Sequence, residues 1–196
     1  MAKYFTQQGE VVIGGLASDD TPRRAKLDDW THVLVVEEYL NYEINRGHVY
    51  RGGFNYTLAN GNVATFGFVT PNTTTWAHME WELDATADGT FTLLEACTAL
   101  TGGAAVTPIN QNRNSTTASV MVCTKGMTGS DLIEPTGGTA ILNAVLGTGK
   151  GSTVSNATGA KFIFKQNTKY LFRYTNGTSA NIIRLRCLWR ENANLS

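Results

Sequence analysis

Three carboxylates and a histidine follow one another at two-residue steps in one short stretch of the chain: His78, Glu80, Glu82 and Asp84. Alternate side chains of a β-strand lie on one face, roughly 7 Å apart, a spacing that suits the acid and base of glycoside hydrolysis. Together with His78, these carboxylates are also ligand types for a divalent metal ion. A strand that faces solvent or a partner has the same pattern, and nothing in the sequence indicates a cleft above this face. We therefore predict no catalytic residue and no metal site here.

A basic stripe, formed by Arg184, Arg186 and Arg190, lies near the end of the chain with its residues an even number of positions apart. Runs of charge usually lie on a solvated face. Our hypothesis is that the basic stripe and the acidic stripe (Glu80, Glu82 and Asp84) recognise neighbouring protein copies in an assembly, because their charges are complementary.

The sequence does not match the residue pattern of other common catalytic or cofactor-binding motifs. The segment 146–153 resembles a phosphate-binding loop, but Gly151 follows Lys150 where Ser or Thr is required, and Ala144 replaces the first glycine. There is no Gly-x-Ser-x-Gly elbow, and no histidine has a Cys or His at metal-ligand spacing. We predict that the protein is not an enzyme and takes no cofactor; the enzyme alternative is a glycosidase that uses Glu80 or Glu82.

The composition favours a folded domain that contacts other proteins. Hydrophobic residues make up 42% of the chain and charged residues only 16%, with a net charge of zero, whereas soluble proteins average about a quarter charged. Residues 161–196 are basic, but the overall balance argues against a dedicated nucleic-acid partner. No apolar run is long enough to cross a membrane, and we expect no signal peptide. Three widely spaced cysteines favour buried thiols in a reducing compartment.

From His48 onward, short runs of aromatic and β-branched residues alternate with turn residues, which predicts strands. Asn60-Gly61 marks a tight hairpin turn. Segment 126–160, rich in Gly, Thr, Ser and Asn, is the most loop-like part. The predicted strands cover 48–56, 61–69, 75–85, 89–97, 116–124, 139–146, 160–166, 169–175 and 180–190.

Period-two alternation in these segments predicts half-buried strands of antiparallel sheets. Trp81 and Trp189 are the predicted core anchors, and their neighbours on the core faces are Ala77, Met79, Leu83, Ile183, Leu185 and Cys187. The predicted fold class is all-β: an antiparallel sandwich of jelly-roll type, residues 31–196, preceded by an extended N-terminal arm, residues 1–30.

The arm contains a mixed-charge run with Arg23 and Arg24, and it ends at Trp30. Together with Glu80, Glu82 and the basic stripe, these three residues complete the set that we expect to contact partners. Between the arm and the first strand, residues 31–44 have both helical spacing and a β-branched run; we favour an extended conformation.

Several scattered segments resemble a family of small virion proteins of tailed phages, the capsid decoration or cement proteins with a jelly-roll body. The resemblance covers roughly residues 30–192 and lies in Thr70-Pro71-Asn72, Trp76-Ala77-His78, Glu80, Glu95, residues 110–115, residues 165–170, Ala180-Asn181-Ile182, Trp189 and Glu191. It implies a protein made in the host cytoplasm that sits on the outer surface of the phage head, binds the major capsid protein and forms trimers. It implies no catalysis and no cofactor.

A second function class stays open at this point. A carbohydrate-binding or receptor-binding module of a phage tail or fibre also uses a β-sandwich, with exposed aromatic side chains as stacking platforms. Trp76 and Trp30 are the candidates for such platforms, although packing against another subunit is the commoner role of such residues. Fold alone does not choose between these functions.

Overall fold

The computed structural model describes residues 4–7, 10–13, 39–73, 75–147, 152–155, 162–177 and 180–193. The chain divides into two compact units, residues 1–42 with 194–196, and residues 43–193. In chain order the elements are β1 Tyr4–Gln7, β2 Glu10–Ile13, α1 Tyr39–Asn45, β3 Val49–Leu58, β4 Val63–Val69, β5 Thr75–Ala85, β6 Gly89–Glu95, β7 Ala99–Thr101, β8 Ala104–Val106, β9 Ile109–Asn110, β10 Val122–Met127, β11 Glu134–Thr136, β12 Thr139–Leu146, β13 Ser152–Ser155, β14 Phe162–Ile163, β15 Lys169–Asn176 and β16 Asn181–Ala193.

In the first unit, β1 and β2 pair antiparallel as a short hairpin. It falls within the predicted arm of residues 1–30. Arg23, Arg24 and Trp30 lie outside the described residues.

The second unit contains two large antiparallel sheets, which confirms the predicted all-β sandwich. Sheet I has the strand order β12-β6-β15-β4-β10-β8. Sheet II has the order β13-β5-β16-β3-β9, and β14 also pairs with β5. Trp81 of sheet II packs on Phe91 and Phe172 of sheet I, with ring centroids 5.1 and 5.6 Å apart. The core therefore lies between the two sheets.

Eight of these strands pair in a nested order. The first, β3, pairs with the last, β16; β4 pairs with β15; β5 pairs with β13; and β6 pairs with β12. The chain thus doubles back on itself, and successive strands of the first half alternate between the two sheets. Most strand pairs consequently join residues that are far apart in the sequence.

The predicted faces of β5 and β16 are confirmed. Along β5, every second residue from Ala77 to Ala85 is buried and the residues between them are partly exposed. Along β16, Ile183, Leu185, Cys187 and Trp189 are buried, whereas Arg184 and Arg186 are exposed. The two predicted anchors, Trp81 and Trp189, are 3% and 1% exposed.

Strand β4 is buried on both faces, which simple alternation does not predict. Its outer face is covered by the segment that contains β7 to β11, where Ile133 forms a second small core with Cys97 and Leu171. Gly67 allows this cover to approach closely, because a Cβ there would lie 3.0 to 3.3 Å from side-chain atoms of Thr124, Leu100 and Ile133. The described residues of segment 126–160, which is loop-like in composition, include the strands β11, β12 and β13, of which β11 and β13 were not predicted.

The extended conformation that we favoured for residues 31–44 is wrong where the structure describes them, since Tyr39–Asn45 is helical. The helix ends in a Schellman motif. Gly47, with φ +76°, donates its N–H to Ile44 O, and the His48 N–H bonds to Glu43 O. Inside this turn the His48 ring also bonds to the buried Glu43 carboxylate, Nδ1 to Oε2, at 3.0 Å. The Asn45-Arg46-Gly47 sequence is the helix-stop signal that strand reasoning overlooked.

Two other strand predictions were wrong in their extent. Strand β10 begins only at Val122, so the predicted strand 116–124 is irregular over its first six residues. Of the predicted strand 160–166, Phe162–Ile163 alone is assigned among the described residues. Side chains replace the ladder in the first case: Asn110 Nδ2 bonds to Thr117 O at 2.9 Å, and a Glu191 carboxylate oxygen accepts the Val120 N–H at 2.9 Å.

Replacing Phe172 with Ala should destabilise the sandwich by about 3–5 kcal/mol, because the side chain is fully buried against Phe68, Trp81 and Phe91. Urea unfolding followed by tryptophan fluorescence measures the loss. Thr57→Ala, at an exposed position of β3, is the matched control and should change stability by about 0.5 kcal/mol or less. Equal losses in the two variants would contradict this core.

Candidate functional site

The outer face of sheet II carries most of the charged residues singled out from the sequence. Strand register places Arg184 opposite Asp84, Arg186 opposite Glu82, and Leu188 opposite Glu80. The acidic and basic stripes are therefore neighbours on one sheet face of the same chain, an arrangement that depends on the long-range pairing of β5 with β16.

Arg186 joins the two stripes directly. Its Nη2 atom lies 2.8 Å from Glu82 Oε2 and 2.8 Å from Asp84 Oδ2. The Arg186 side chain remains 54% exposed, so solvent and salt weaken these ion pairs. At this point of the face, opposite charges compensate each other within the chain. The hypothesis that the stripes recognise neighbouring copies stays a prediction.

Beside this ion-pair cluster, the sheet face forms an open cavity of about 390 Å³. Its lining combines strands β3, β5 and β16 with Gln111, which follows β9. The polar residues that line it are Arg51, Glu80, Glu82, Gln111 and Arg186, and Gly52, Leu188 and the core residues Trp81 and Cys187 complete the lining.

Gly53 of β3 leaves this part of the face without a side chain. Gly53 lies opposite Arg186 in the register and has φ +142°. A Cβ at this position would lie 2.0 Å from the carbonyl oxygen of Leu185, so any other residue would force the two strands apart. No side chain therefore rises next to Arg186 on that side.

The remaining predicted residues on this face lie along the same strands. Arg190 is partly buried and stands opposite His78. Trp76 is partly buried on β5, an even number of residues from Glu80. Neither residue belongs to the cavity lining. The structure thus brings Glu80, Glu82 and Arg186 together at one site and leaves Arg184 and Arg190 on either side of it.

Glu191 is a buried carboxylate whose role was not predicted from the sequence. It is 8% exposed and accepts hydrogen bonds from Trp189 Nε1 and Val120 N, each at 2.9 Å, and from the Ser119 hydroxyl. Burial, followed by the nearby charge of Glu191, raises the pKa of Tyr50 to about 12. This carboxylate ties the end of β16 to the irregular segment before β10, which is a structural role.

A second polar cluster lies at the end of β6. Lys165 Nζ contacts Glu95 Oε1 at 2.5 Å, and the Tyr170 hydroxyl donates to Glu95 Oε2 at 3.0 Å. The hydrogen bond from Lys165 lowers the pKa of Glu95, whereas burial raises the pKa of Tyr170. Glu95, Lys165 and Tyr170 all belong to the segments that carry the family resemblance, and here they fasten a loop to sheet I.

The cysteines have no reactive character. Cys97, Cys123 and Cys187 are buried free thiols, and burial, with a smaller contribution from the charge of Glu191, raises the pKa of Cys123 to about 12. A buried thiol with a raised pKa is a poor nucleophile. The sequence-based interpretation of the cysteines as buried apolar residues agrees with this environment.

Within the described part of the chain, no group of three or more His, Cys, Asp or Glu side chains is arranged to hold a metal ion. The same residues include no helix that is long and apolar enough to span a bilayer.

Comparison with known proteins gives no relative for this chain. No protein-family model matches it, no curated protein sequence matches it significantly, and no solved structure does so. The site must therefore be interpreted from its own geometry.

The interaction of Arg186 with Glu82 should contribute little to folding, because both side chains are well exposed. In a double-mutant cycle with Arg186→Met and Glu82→Gln, we expect a coupling free energy below about 1 kcal/mol that decreases with added salt. Urea unfolding of the four proteins measures it. Arg184→Met is the matched control, and a coupling above about 2 kcal/mol would mean that the pair anchors the fold.

Stability should depend on Lys165 only at pH values where Glu95 is charged. The folded-state pKa of Glu95 is lowered by Lys165, so this stabilisation is present above the unfolded-state pKa and is lost as the pH falls through the folded-state pKa. Lys165→Met should cost up to about 1 kcal/mol near pH 7 and almost nothing near pH 2. Urea unfolding at both pH values measures the difference.

Lys169→Met is the matched control for this pH dependence, because Lys169 Nζ donates to the backbone oxygen of Thr98, which does not titrate, at 2.7 Å. The loss of unfolding free energy caused by Lys169→Met should change less with pH. A Lys165→Met effect that is equal at both pH values would rule out the pairing with Glu95 as its source.

Proposed function

We propose that this protein is a structural protein of a tailed-phage virion, a decoration protein that binds the outer surface of the head and stabilises the shell by bridging capsomers. The observation that carries the proposal is a β-sandwich with aliphatic side chains turned outward on several of its strands. These are Val122, Val145, Ile163 and Ile182, which are 64%, 81%, 52% and 53% exposed.

Strand β12 is the best candidate for a contact surface. It lies at the edge of sheet I and, among the described residues, pairs only with β6. Residues 137–149 contain no charged side chain, although exposed edge strands usually carry charge that prevents pairing with other proteins. An uncharged edge with Val145 outward favours a strand that is covered by another protein.

The nested strand pairing supports the type of body that the family has. We infer that β3 to β6 and β12 to β16 have jelly-roll connectivity, because the first strand pairs with the last, the second with the second-last, and so on inward. Jelly rolls are frequent in viral capsid proteins. Fold similarity alone does not establish function, so the exposed surfaces carry the argument.

The proposed partners are the major capsid protein and further copies of this chain. In the described part of the chain, sheet I has two different edges, β12 and β8, and contact between unlike surfaces of successive copies closes a ring such as a trimer when the rotation between the copies closes. Residues 1–30 would then bridge to a neighbouring subunit, and many weak contacts repeated by symmetry would add to firm binding.

A binding role fits the acidic stripe better than hydrolysis does. Glu82, one of the two carboxylates that a glycosidase would need, is engaged by Arg186 at 2.8 Å. The alternative of a carbohydrate-binding module has one specific observation in its favour, the cavity beside Arg186.

Electron microscopy of the phage particle should show this protein as trimeric density on the outside of the head, and the isolated protein should have three times its chain mass of 21.2 kDa. Val145→Asp should weaken assembly or shell binding at least tenfold, because it places a charge on the uncharged edge. Co-sedimentation with shells that lack the protein measures binding, and light scattering measures mass.

Thr57→Asp, at an exposed position of β3, is the control and should bind normally. Removal of residues 1–30 should abolish shell binding while the sandwich stays folded by circular dichroism. A location inside the head or on the tail would contradict the proposal. Full shell binding by both Val145→Asp and the protein without residues 1–30 would also contradict it.

A further inference from the structure

The cavity on the outer face of sheet II has an unusual combination of hydrogen-bonding groups. The carboxylates of Glu80 and Glu82 only accept hydrogen bonds when ionised, the guanidinium groups of Arg51 and Arg186 only donate, and the Gln111 amide does both. All of these side chains border one opening of about 390 Å³, a volume within the usual range of ligand sites.

The backbone beneath the cavity is already satisfied. Strand β16 is hydrogen-bonded to β3 on one side and to β5 on the other along this whole stretch. An extended peptide that binds a sheet adds its main chain to a free edge, and there is no free edge at this position. A ligand must therefore be recognised by the side chains that rise from the face.

Two polar groups of the cavity are already paired with each other. Arg186 contacts Glu82 and also Asp84, each at 2.8 Å, and its side chain remains 54% exposed. Between the polar groups, Leu188 supplies an apolar surface beside the backbone of Gly52. The site thus offers donors and acceptors around a small apolar surface.

We propose that this cavity binds a neutral carbohydrate of one or two sugar rings. A hydroxyl group both donates and accepts, so neighbouring sugar hydroxyls can hydrogen-bond to the carboxylates and to the guanidinium groups at the same time without bringing net charge. The C–H face of the sugar ring would lie on Leu188. An anionic ligand would be attracted by Arg51 and Arg186 but repelled by Glu80 and Glu82. A cationic ligand would be attracted by the two glutamates but repelled by the two arginines.

This inference does not rest on the shell-binding proposal. Binding to the head involves the strand edge at β12 and the N-terminal arm, whereas the cavity lies in the middle of sheet II. A variant that loses carbohydrate binding but keeps shell binding separates the two functions. A variant that loses shell binding but keeps carbohydrate binding separates them as well.

The test is a titration of the isotopically labelled full-length protein with neutral trisaccharides, followed by NMR of the backbone amides. The saccharides are maltotriose, cellotriose and N,N′,N″-triacetylchitotriose, each raised to about 20 mM because a weak site has a Kd near 1 mM. We expect at least one of them to shift the amides of Arg51, Gly52 and Gln111 along a saturating curve. Sialyllactose supplies an anionic probe, and the tripeptide Arg-Gly-Glu supplies a peptide probe with both charges.

Arg51→Ala and Glu80→Gln should each weaken saccharide binding at least tenfold while the spectrum stays that of a folded protein. Arg184→Ala is the matched control, because Arg184 is exposed on the same sheet face but does not line the cavity, and it should bind as the parent does. The proposal is overturned if no neutral saccharide shifts these amides, if both cavity variants bind normally, or if sialyllactose or the peptide binds there more tightly.

Discussion

The insertion of the last strand, β16, between β3 and β5 is the constraint on which the rest of the sandwich depends. Its ladder with β5 runs from Ile183 to Ala193, and its ladder with β3 runs from Asn181 to Arg190. Until the end of the chain has joined, sheet II lacks its central strand and the core lacks Trp189. The pairing closes very long loops, and their entropy must be offset by the apolar surface that β16 buries.

Buried polar groups secure both ends of this strand. At its start, the fully buried Asn181 accepts from the backbone N–H groups of Thr86 and Ala87 at 2.9 and 3.0 Å, and donates to Tyr174 and Asn176 at 2.6 and 3.0 Å. Near its end, Glu191 binds the segment before β10. Because unsatisfied buried groups are costly, these bonds specify one register for β16. That register in turn sets which charges meet on the outer face.

The two sheets of the sandwich consequently present different surfaces. On sheet I, the segment from β7 to β11 covers β4, and β12 forms an uncharged edge. On sheet II, the described outer face carries the cavity, and opposite charges compensate within the chain at Arg186. The proposed contact at β12 and the proposed ligand cavity thus lie on different sheets. The two proposed functions therefore do not compete for the same residues.

Local pattern in the sequence determined the strand content, the strands 75–85 and 139–146 at their observed bounds, and the inward faces of β5 and β16, because alternation with a period of two depends only on neighbouring residues. It misjudged residues 39–44, where the Gly47 stop signal and the buried Glu43 favour a helix, and residues 116–121, where side chains replace a ladder. It also identified Glu80, Glu82 and Arg186 as candidates without relating them in space. Only the tertiary structure decided that the acidic and basic stripes are neighbours, that Glu191 is buried and that a cavity opens beside Arg51, because strand pairing across about a hundred residues is set by the packing of the whole core.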